Sequence, residues 1–335
     1  MKAIILTEST NSVEYVFASR TIQDLIFEAG LFPQFFSKAD LLGDPNYFAD
    51  VEYVFSTWGM PRLEEDEIAR CLPRLKAVFY AAGTVQSFAR PFLAKGVRIF
   101  SAWQANAVPV AEYAVSQILL ANKGFFQASR RLQSKATRAA AYDYAFGFPG
   151  NFGCSVGILG AGQIGRRVIK ALKENFRLDV KVFDPFYPEE AAQAAGVGKC
   201  SLDEVFETCQ TISNHMANND QTKGMLTYRQ FSLMKDNATF INTGRGAQVV
   251  EDDLVRALRE KPGRTAVLDV TMPEPPEEGH PFYTMPNVFL TPHIAGSSGQ
   301  EVHRMSELML AEFRRFRAGE KSDCEVTPAM LATMA

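Results

Sequence analysis

Short apolar runs and amphipathic stretches alternate along the first hundred residues. Residues 2–6, 51–56, 77–81 and 97–100 are apolar enough for buried strands, whereas 20–29, 63–71 and 86–94 space their apolar positions for helices. Such alternation predicts a parallel sheet with helices on its faces. Val110, Tyr113, Ala114, Gln117 and Leu120 then mark one face of a single long helix over 108–134, in which Pro109 is tolerable only in the first turn. A polar, glycine-rich stretch over 141–153 leads into a second α/β unit. Its strands are expected at 155–159, 180–183, 211–214, 240–242, 266–269 and 288–290, a sheet of at least six, with helices from 189 and 201. In 299–319, Val302, Met305, Met309, Phe313 and Phe316 recur near the helical period and predict an amphipathic helix.

The pattern is most informative from Cys154 to Pro185. A buried strand is followed by Gly160, Gly162 and Gly165 in GxGxxG spacing, then by Val168, Ile169, Leu172 and Phe176 at helical intervals. The second strand ends in Asp184, 184 − 165 = 19 residues beyond the last glycine. Three glycines alone would make only a tight turn. With strand, helix, second strand and terminal acid in place, they form a dinucleotide fingerprint. Gly160 permits the turn, Gly162 lets backbone approach a pyrophosphate, and Gly165 lets helix and strand pack closely. Asp184 would accept hydrogen bonds from the adenosine ribose and repel a 2′-phosphate. Pro185-Phe186-Tyr187 supplies no Arg to compensate, so NAD is favoured over NADP.

Composition adds limits. A chain of 335 residues suggests about two domains. A net charge of −3 gives no reason to expect a nucleic-acid or anionic-membrane partner. Cys71, Cys154, Cys200, Cys209 and Cys324 are scattered and lack a CxxC pair, as expected of reduced thiols in a cytoplasmic protein. The apolar run at the N-terminus is too short for a signal-peptide core, and the stretch over 107–126 carries Glu112 and Lys123, so it reads as a buried helix and not a membrane span. No set of His, Cys, Asp and Glu has metal-ligand spacing, and no metal is expected.

Three polar groups lie just beyond strands of the second unit: Arg245 in a glycine-flanked turn, Glu274 in a proline-framed loop, and His293 in Thr291-Pro292-His293-Ile294. The ends of strands in a doubly wound sheet share one edge, so these groups can converge. They suit hydride transfer to a 2-keto acid. Arg245 offers a planar fork to a carboxylate, His293 can give a proton to the developing alkoxide, and Glu274 can orient the ring. A surface ion pair for Arg245, a solvated charge for Glu274 beside Glu277 and Glu278, and a helix cap for His293 are the plainer alternatives. His215, His280 and His303 read as structural or exposed. In the first unit, Trp58 and Gly59 in one loop and Gly83 in another stand where an open α/β sheet presents ligand contacts, though packing and turn geometry would explain them equally well.

With these residues in hand, the chain resembles the D-isomer-specific 2-hydroxyacid dehydrogenases over nearly its whole length. Val110-Ala111-Glu112 and the blocks GILGAGQIGRRV, INTGRGAQVVEDDLVRAL, LDVTMPEPP and PNVFLTPHIAG are similar to that family's signatures in their order. The resemblance implies two Rossmann-like doubly wound parallel-sheet domains, with an NAD-binding domain, 104–294, inserted in a flavodoxin-like substrate domain, 1–103 plus 295–335. It implies catalytic roles for Arg245, Glu274 and His293. Cofactor contacts are implied for Gly160, Gly162, Gln163, Ile164, Gly165, Asp184, His215, Thr243, Arg245, Asp269, His293 and Gly296, with Asp269 facing the nicotinamide carboxamide. Substrate contacts are implied for Trp58, Gly59, Gly83, Arg245 and His293. The active site is expected in a cleft that closes on a small 2-keto or 2-hydroxy acid. A homodimer through the NAD-binding domain is also implied. The same fold serves NAD-sensing corepressors of the C-terminal binding protein type, and formate and phosphite dehydrogenases are closer rivals. The chain departs from the family pattern at Asn214-His215-Met216-Ala217, where an HxPxT-like stretch is usual, and at the bulky Trp58 and Trp103.

Overall fold

A computed structural model describes residues 2–332. In chain order the strands are β1 (Ala3–Leu6), β2 (Leu31–Phe36), β3 (Tyr53–Ser56), β4 (Ala77–Tyr80), β5 (Arg98–Ser101), β6 (Phe152–Leu159), β7 (Arg177–Phe183), β8 (Gly198–Lys199), β9 (Thr211–Asn214), β10 (Thr239–Asn242), β11 (Thr265–Leu268), β12 (Val288–Leu290) and β13 (Glu325–Val326). The chain divides into two compact units, Met1–Asn106 with Ser297–Ala335, and Ala107–Gly296. Each boundary falls a few residues beyond the expected 103/104 and 294/295.

The first unit holds a six-stranded sheet in the order β13-β5-β4-β3-β1-β2. Neighbours are parallel except β13, which runs antiparallel to β5. β4 is buried along its length because helices cover both faces, so its sequence is uninterruptedly apolar. Leu6, Val54 and Val78 belong to the core on one face, and Ile5, Phe55, Phe79 and Phe100 to that on the other. Helix His303–Ala318 closes the second face with Met305, Met309 and Phe313, and stops at Gly319 in the left-handed conformation, φ 73°. The helical pattern over 299–319 therefore holds, with its first turn tightened to a 3-10 helix over Gly299–Val302.

The second unit holds a seven-stranded parallel sheet in the order β12-β11-β10-β9-β6-β7-β8. Its strand order reverses between β6 and β9, the switch point at which doubly wound sheets bind ligands. Helix Gln163–Asn175 packs Val168, Ile169 and Leu172 on one face, while Phe206, Phe231 and Phe240 fill the other.

Three expectations need correction. The helix expected over 108–134 starts earlier and breaks: Trp103–Asn122 is followed by Phe125–Arg131. Pro109 thus lies inside the helix, where it cannot bond the carbonyl of Ala105. The break is at Gly124, φ 67°, where a Cβ would lie 2.4 Å from the Phe148 ring. The stretch expected to be a glycine-rich connection, 141–153, is overlapped by helix Arg138–Phe146, packed by Arg131 over the Tyr144 ring at 3.6 Å and by Tyr144 Oη donating to Asn237 Oδ1 at 2.8 Å. Finally, β2 and helix Thr10–Val16 have no counterpart in the sequence pattern. Pro33 argues against a strand at 31–36, but β2 is an edge strand, where a missing N–H costs little.

Candidate active site in the Ala107–Gly296 unit

The turn after β6 has the geometry that its glycines foretell. Gly160 has φ 88°, and a Cβ there would lie 2.9 Å from the backbone of Met216. A Cβ on Gly165 would lie 2.0 Å from the Gly160 carbonyl oxygen, so helix and turn touch backbone to backbone. Gly162, at the N-terminus of helix Gln163–Asn175, faces open space with nothing within 4 Å. A closed turn, an open approach and unpaired helix N–H groups fit a pyrophosphate. Gln163 and Ile164 open that helix. At the end of β7, Asp184 Oδ2 accepts from the Ala161 N–H (2.7 Å) and Oδ1 from the Phe186 N–H (2.8 Å). The carboxylate is thereby fixed against the glycine turn, with lone pairs left for ribose hydroxyls.

Arg245 is held by an amide network that the chain pattern does not announce. β9 and β10 end in register at Asn214 and Asn242, and Asn214 Nδ2 donates to Asn242 Oδ1 (3.0 Å) and to Gln248 Oε1 (2.7 Å). Gln248 Oε1 also accepts the Arg245 N–H (3.1 Å), while its Nε2 donates to the carbonyls of Met216 and Ala217 (both 2.9 Å). Asn242 Oδ1 accepts the Gly244 N–H (3.0 Å), and Asn242 Nδ2 donates to the Arg245 carbonyl (3.2 Å). The only advance signal is two adjacent parallel strands that each finish on Asn. Gly244 leaves room for this network: a Cβ would lie 2.6 Å from Gln248 Oε1. Burial pulls the Arg245 guanidinium below its ordinary pKa and the Glu274 carboxylate pulls it back up, so the two side chains sense each other. A guanidinium remains charged throughout the neutral range.

His293 and Glu274 meet, Nδ1 to Oε1 at 2.6 Å, with side chains 48% and 39% exposed. His293 is the one non-glycine residue with positive φ, 54°, among the described residues. The loop around it holds that conformation: its N–H donates to the carbonyls of Asp269 (3.1 Å) and Thr291 (3.0 Å). Asp269, buried, accepts from Thr291 Oγ1 (2.6 Å), Ile294 N (2.8 Å) and Ala295 N (2.9 Å), and Tyr113 Oη lies 3.0 Å from Thr291 Oγ1. The carboxylate expected to face a carboxamide is thus engaged in shaping the His293 loop. The Glu274 loop has its own anchor, Glu251 Oε1 accepting the Met272 N–H at 2.8 Å. Burial raises the Glu251 pKa, and His280 Nε2 stands 3.6 Å from its other oxygen.

His215 is buried, with Nε2 3.0 Å from Ser213 Oγ and Nδ1 3.1 Å from Thr243 Oγ1. Burial depresses its pKa to about 3, so the ring is neutral. Thr243 is itself buried by this contact, and Gly296 is the last residue of the unit. In the other unit, Trp58 is 38% exposed beside Gly59, whose φ is 96° and whose carbonyl accepts the Glu8 N–H at 2.7 Å. Gly83 gives its carbonyl to Ser101 Oγ at 2.6 Å. Trp103 packs against the core of that unit. Among the described residues, no group of three or more His, Cys, Asp or Glu side chains could hold a metal ion, and no helix is long and apolar enough to cross a membrane.

D-3-phosphoglycerate dehydrogenase of Methanocaldococcus jannaschii is 32% identical over 221 residues, 65% of this chain and 40% of that protein. The chain therefore spans well under half the length of that relative. Glyoxylate reductase of Korarchaeum cryptofilum is 26% identical over 255 residues, 76% of each chain. The crystal structure of D-mandelate dehydrogenase from Rhodotorula graminis superposes with a TM-score of 0.80 over 97% of both chains at 18% identity, a likeness of fold. Residues 115–295, more than half the chain, match the model for the D-isomer specific 2-hydroxyacid dehydrogenase NAD binding domain, and the protein belongs to that family.

Proposed function

We propose that the protein is an NAD-dependent oxidoreductase interconverting a 2-keto acid and its (R)-2-hydroxy acid. The observation that carries the reading is the 2.6 Å contact of His293 Nδ1 with Glu274, on a strained loop whose N–H groups at 293–295 are hydrogen-bonded, in the unit that holds the glycine turn. Bound NADH would supply the hydride. Arg245, its backbone fixed by Gln248 and Asn242, binds the substrate carboxylate through its guanidinium. Because Nδ1 is committed to Glu274, His293 presents Nε2 to the substrate oxygen, giving it a proton in reduction and taking one in oxidation. Glu274 keeps the ring in that orientation and balances the imidazolium charge. Asp184, at the ribose end, selects NAD. Trp58, Gly59 and Gly83 are carried in the same proposal as substrate contacts.

NADH oxidation over a panel of 2-keto acids, with formate and phosphite tried in the NAD-reducing direction, tests the reading. His293→Ala should lower kcat by about 100-fold or more, and Arg245→Ala should act mainly on kcat/KM for the acid. Equal turnover by the unaltered protein and both variants sinks the assignment; turnover of formate or phosphite alone replaces it. The reading also includes a homodimer through the Ala107–Gly296 unit, for which exposed Phe125, Tyr142, Phe146 and Phe152 supply apolar surface.

A further inference from the structure

A cation shares an anchoring residue with the ribose-end carboxylate, and it is contributed by the helix and not by the loop after β7. Arg166 follows Gly165 in helix Gln163–Asn175 and folds back over the turn, its Nε donating to the Ala161 carbonyl oxygen at 2.6 Å. The N–H of the same residue is the group that Asp184 Oδ2 accepts at 2.7 Å. Carboxylate and guanidinium are therefore moored to the two polar atoms of one residue, which covalent geometry holds roughly 3 Å apart. Tyr187, three places after Asp184 and buried, lies on the same side, its ring centroid 6.0 Å from the Arg166 Cζ. Arg166 is exposed.

We propose that Arg166 is a specificity-determining residue at the adenosine end of the cofactor site, a guanidinium placed to bind a 2′-phosphate that Asp184 repels. A planar fork of donors matches a phosphate, while the carboxylate accepts from an unphosphorylated ribose and opposes a dianion. Dinucleotide choice is then set by the balance of two side chains sharing an anchor. Pro185-Phe186-Tyr187 correctly lacks an Arg, but the compensating cation comes from eighteen positions upstream of Asp184 (184 − 166 = 18).

This inference rests on the cofactor reading above, and the experiment separates the two. Kd values for NADH and NADPH are read on the intact chain from nicotinamide fluorescence, without turnover. Arg166→Ala and Arg166→Glu should raise the ratio Kd(NADPH)/Kd(NADH) by about tenfold or more, and Arg166→Lys, which keeps charge but loses the fork, by less. Asp184→Ser should lower the ratio about tenfold or more, and adding Arg166→Ala should undo most of that gain. Lys170→Ala, which removes a positive charge one turn further along the helix, should leave the ratio unchanged. A ratio for Arg166→Ala and Arg166→Glu equal to that of the unaltered chain overturns the proposal, as does NADPH affinity in Asp184→Ser that is indifferent to Arg166. Failure of the unaltered chain to bind either nucleotide overturns the cofactor reading itself.

Discussion

Gln248 is the residue whose replacement tests most directly how the Arg245 turn is built. It is fully buried, and its two polar atoms make four hydrogen bonds to the surrounding chain. Gln248→Met keeps the length and approximate volume of the side chain and removes every one of them. Asn214 Nδ2 retains Asn242 Oδ1 and the Ala217 carbonyl retains Thr222 Oγ1, but the Arg245 N–H and the Met216 carbonyl are orphaned. An unsatisfied buried partner costs about 1–3 kcal/mol. With one of these two only partly buried, the sum is about 2–4 kcal/mol, a large share of the roughly 5–15 kcal/mol that stabilises a folded protein. Urea unfolding followed by circular dichroism should show a lower midpoint at unchanged slope. Because the freed peptide carries Arg245, kcat/KM for the 2-keto acid should fall more than kcat. A midpoint shift equivalent to less than about 0.5 kcal/mol, with catalysis intact, would show that water replaces the amide and that the network does not position the turn.

Two further outcomes follow from the same structure. Gly165→Ala places a Cβ 2.0 Å from the Gly160 carbonyl oxygen, so the helix must retreat from the turn; NADH affinity should drop by about 100-fold or the chain should fail to fold, and normal affinity by fluorescence titration would contradict the close packing. His215, neutral in the fold with its pKa depressed to about 3, takes up a proton only on unfolding as pH falls below its ordinary value of 6.5. Stability is therefore present above that value and lost as pH falls from 6.5 toward 3, with about 1.3 kcal/mol gone between pH 7 and pH 5.5. His215→Asn should show that much less loss over the same interval, and an identical pH dependence would refute a buried neutral ring.

The parts of this molecule legible in the sequence are those in which one residue type has one physical use. Gly160 and Gly165 could be placed because a left-handed turn and a backbone contact exclude side chains, and Asp184 because it closes the strand that follows. The pairing of His293 with Glu274 was legible as two polar groups beyond strands of one sheet. Other features depend on partners remote in sequence. Gln248 looks like any glutamine in a 3-10 turn until Asn214, thirty-four residues earlier, is brought to it. Asp269 accepts from three donors that lie in a loop whose course the sequence does not specify. Arg166 was hidden because helical periodicity assigns it to a solvent face and says nothing of a side chain that turns back on the preceding loop. Gly124 broke a helix that periodicity carried through it, since the reason, the Phe148 ring, arrives from beyond the next helix.

Gly246 joins the parts of the site. A Cβ there would lie 2.0 Å from the backbone of Thr271, so the Arg245 turn is pressed against the chain that leads from β11 to Glu274. Neither can be re-aimed without dragging the other. A chain built this way has little freedom to move the Arg245 turn and the Glu274 loop separately, and divergence is channelled into side chains that do not sit on this shared footing.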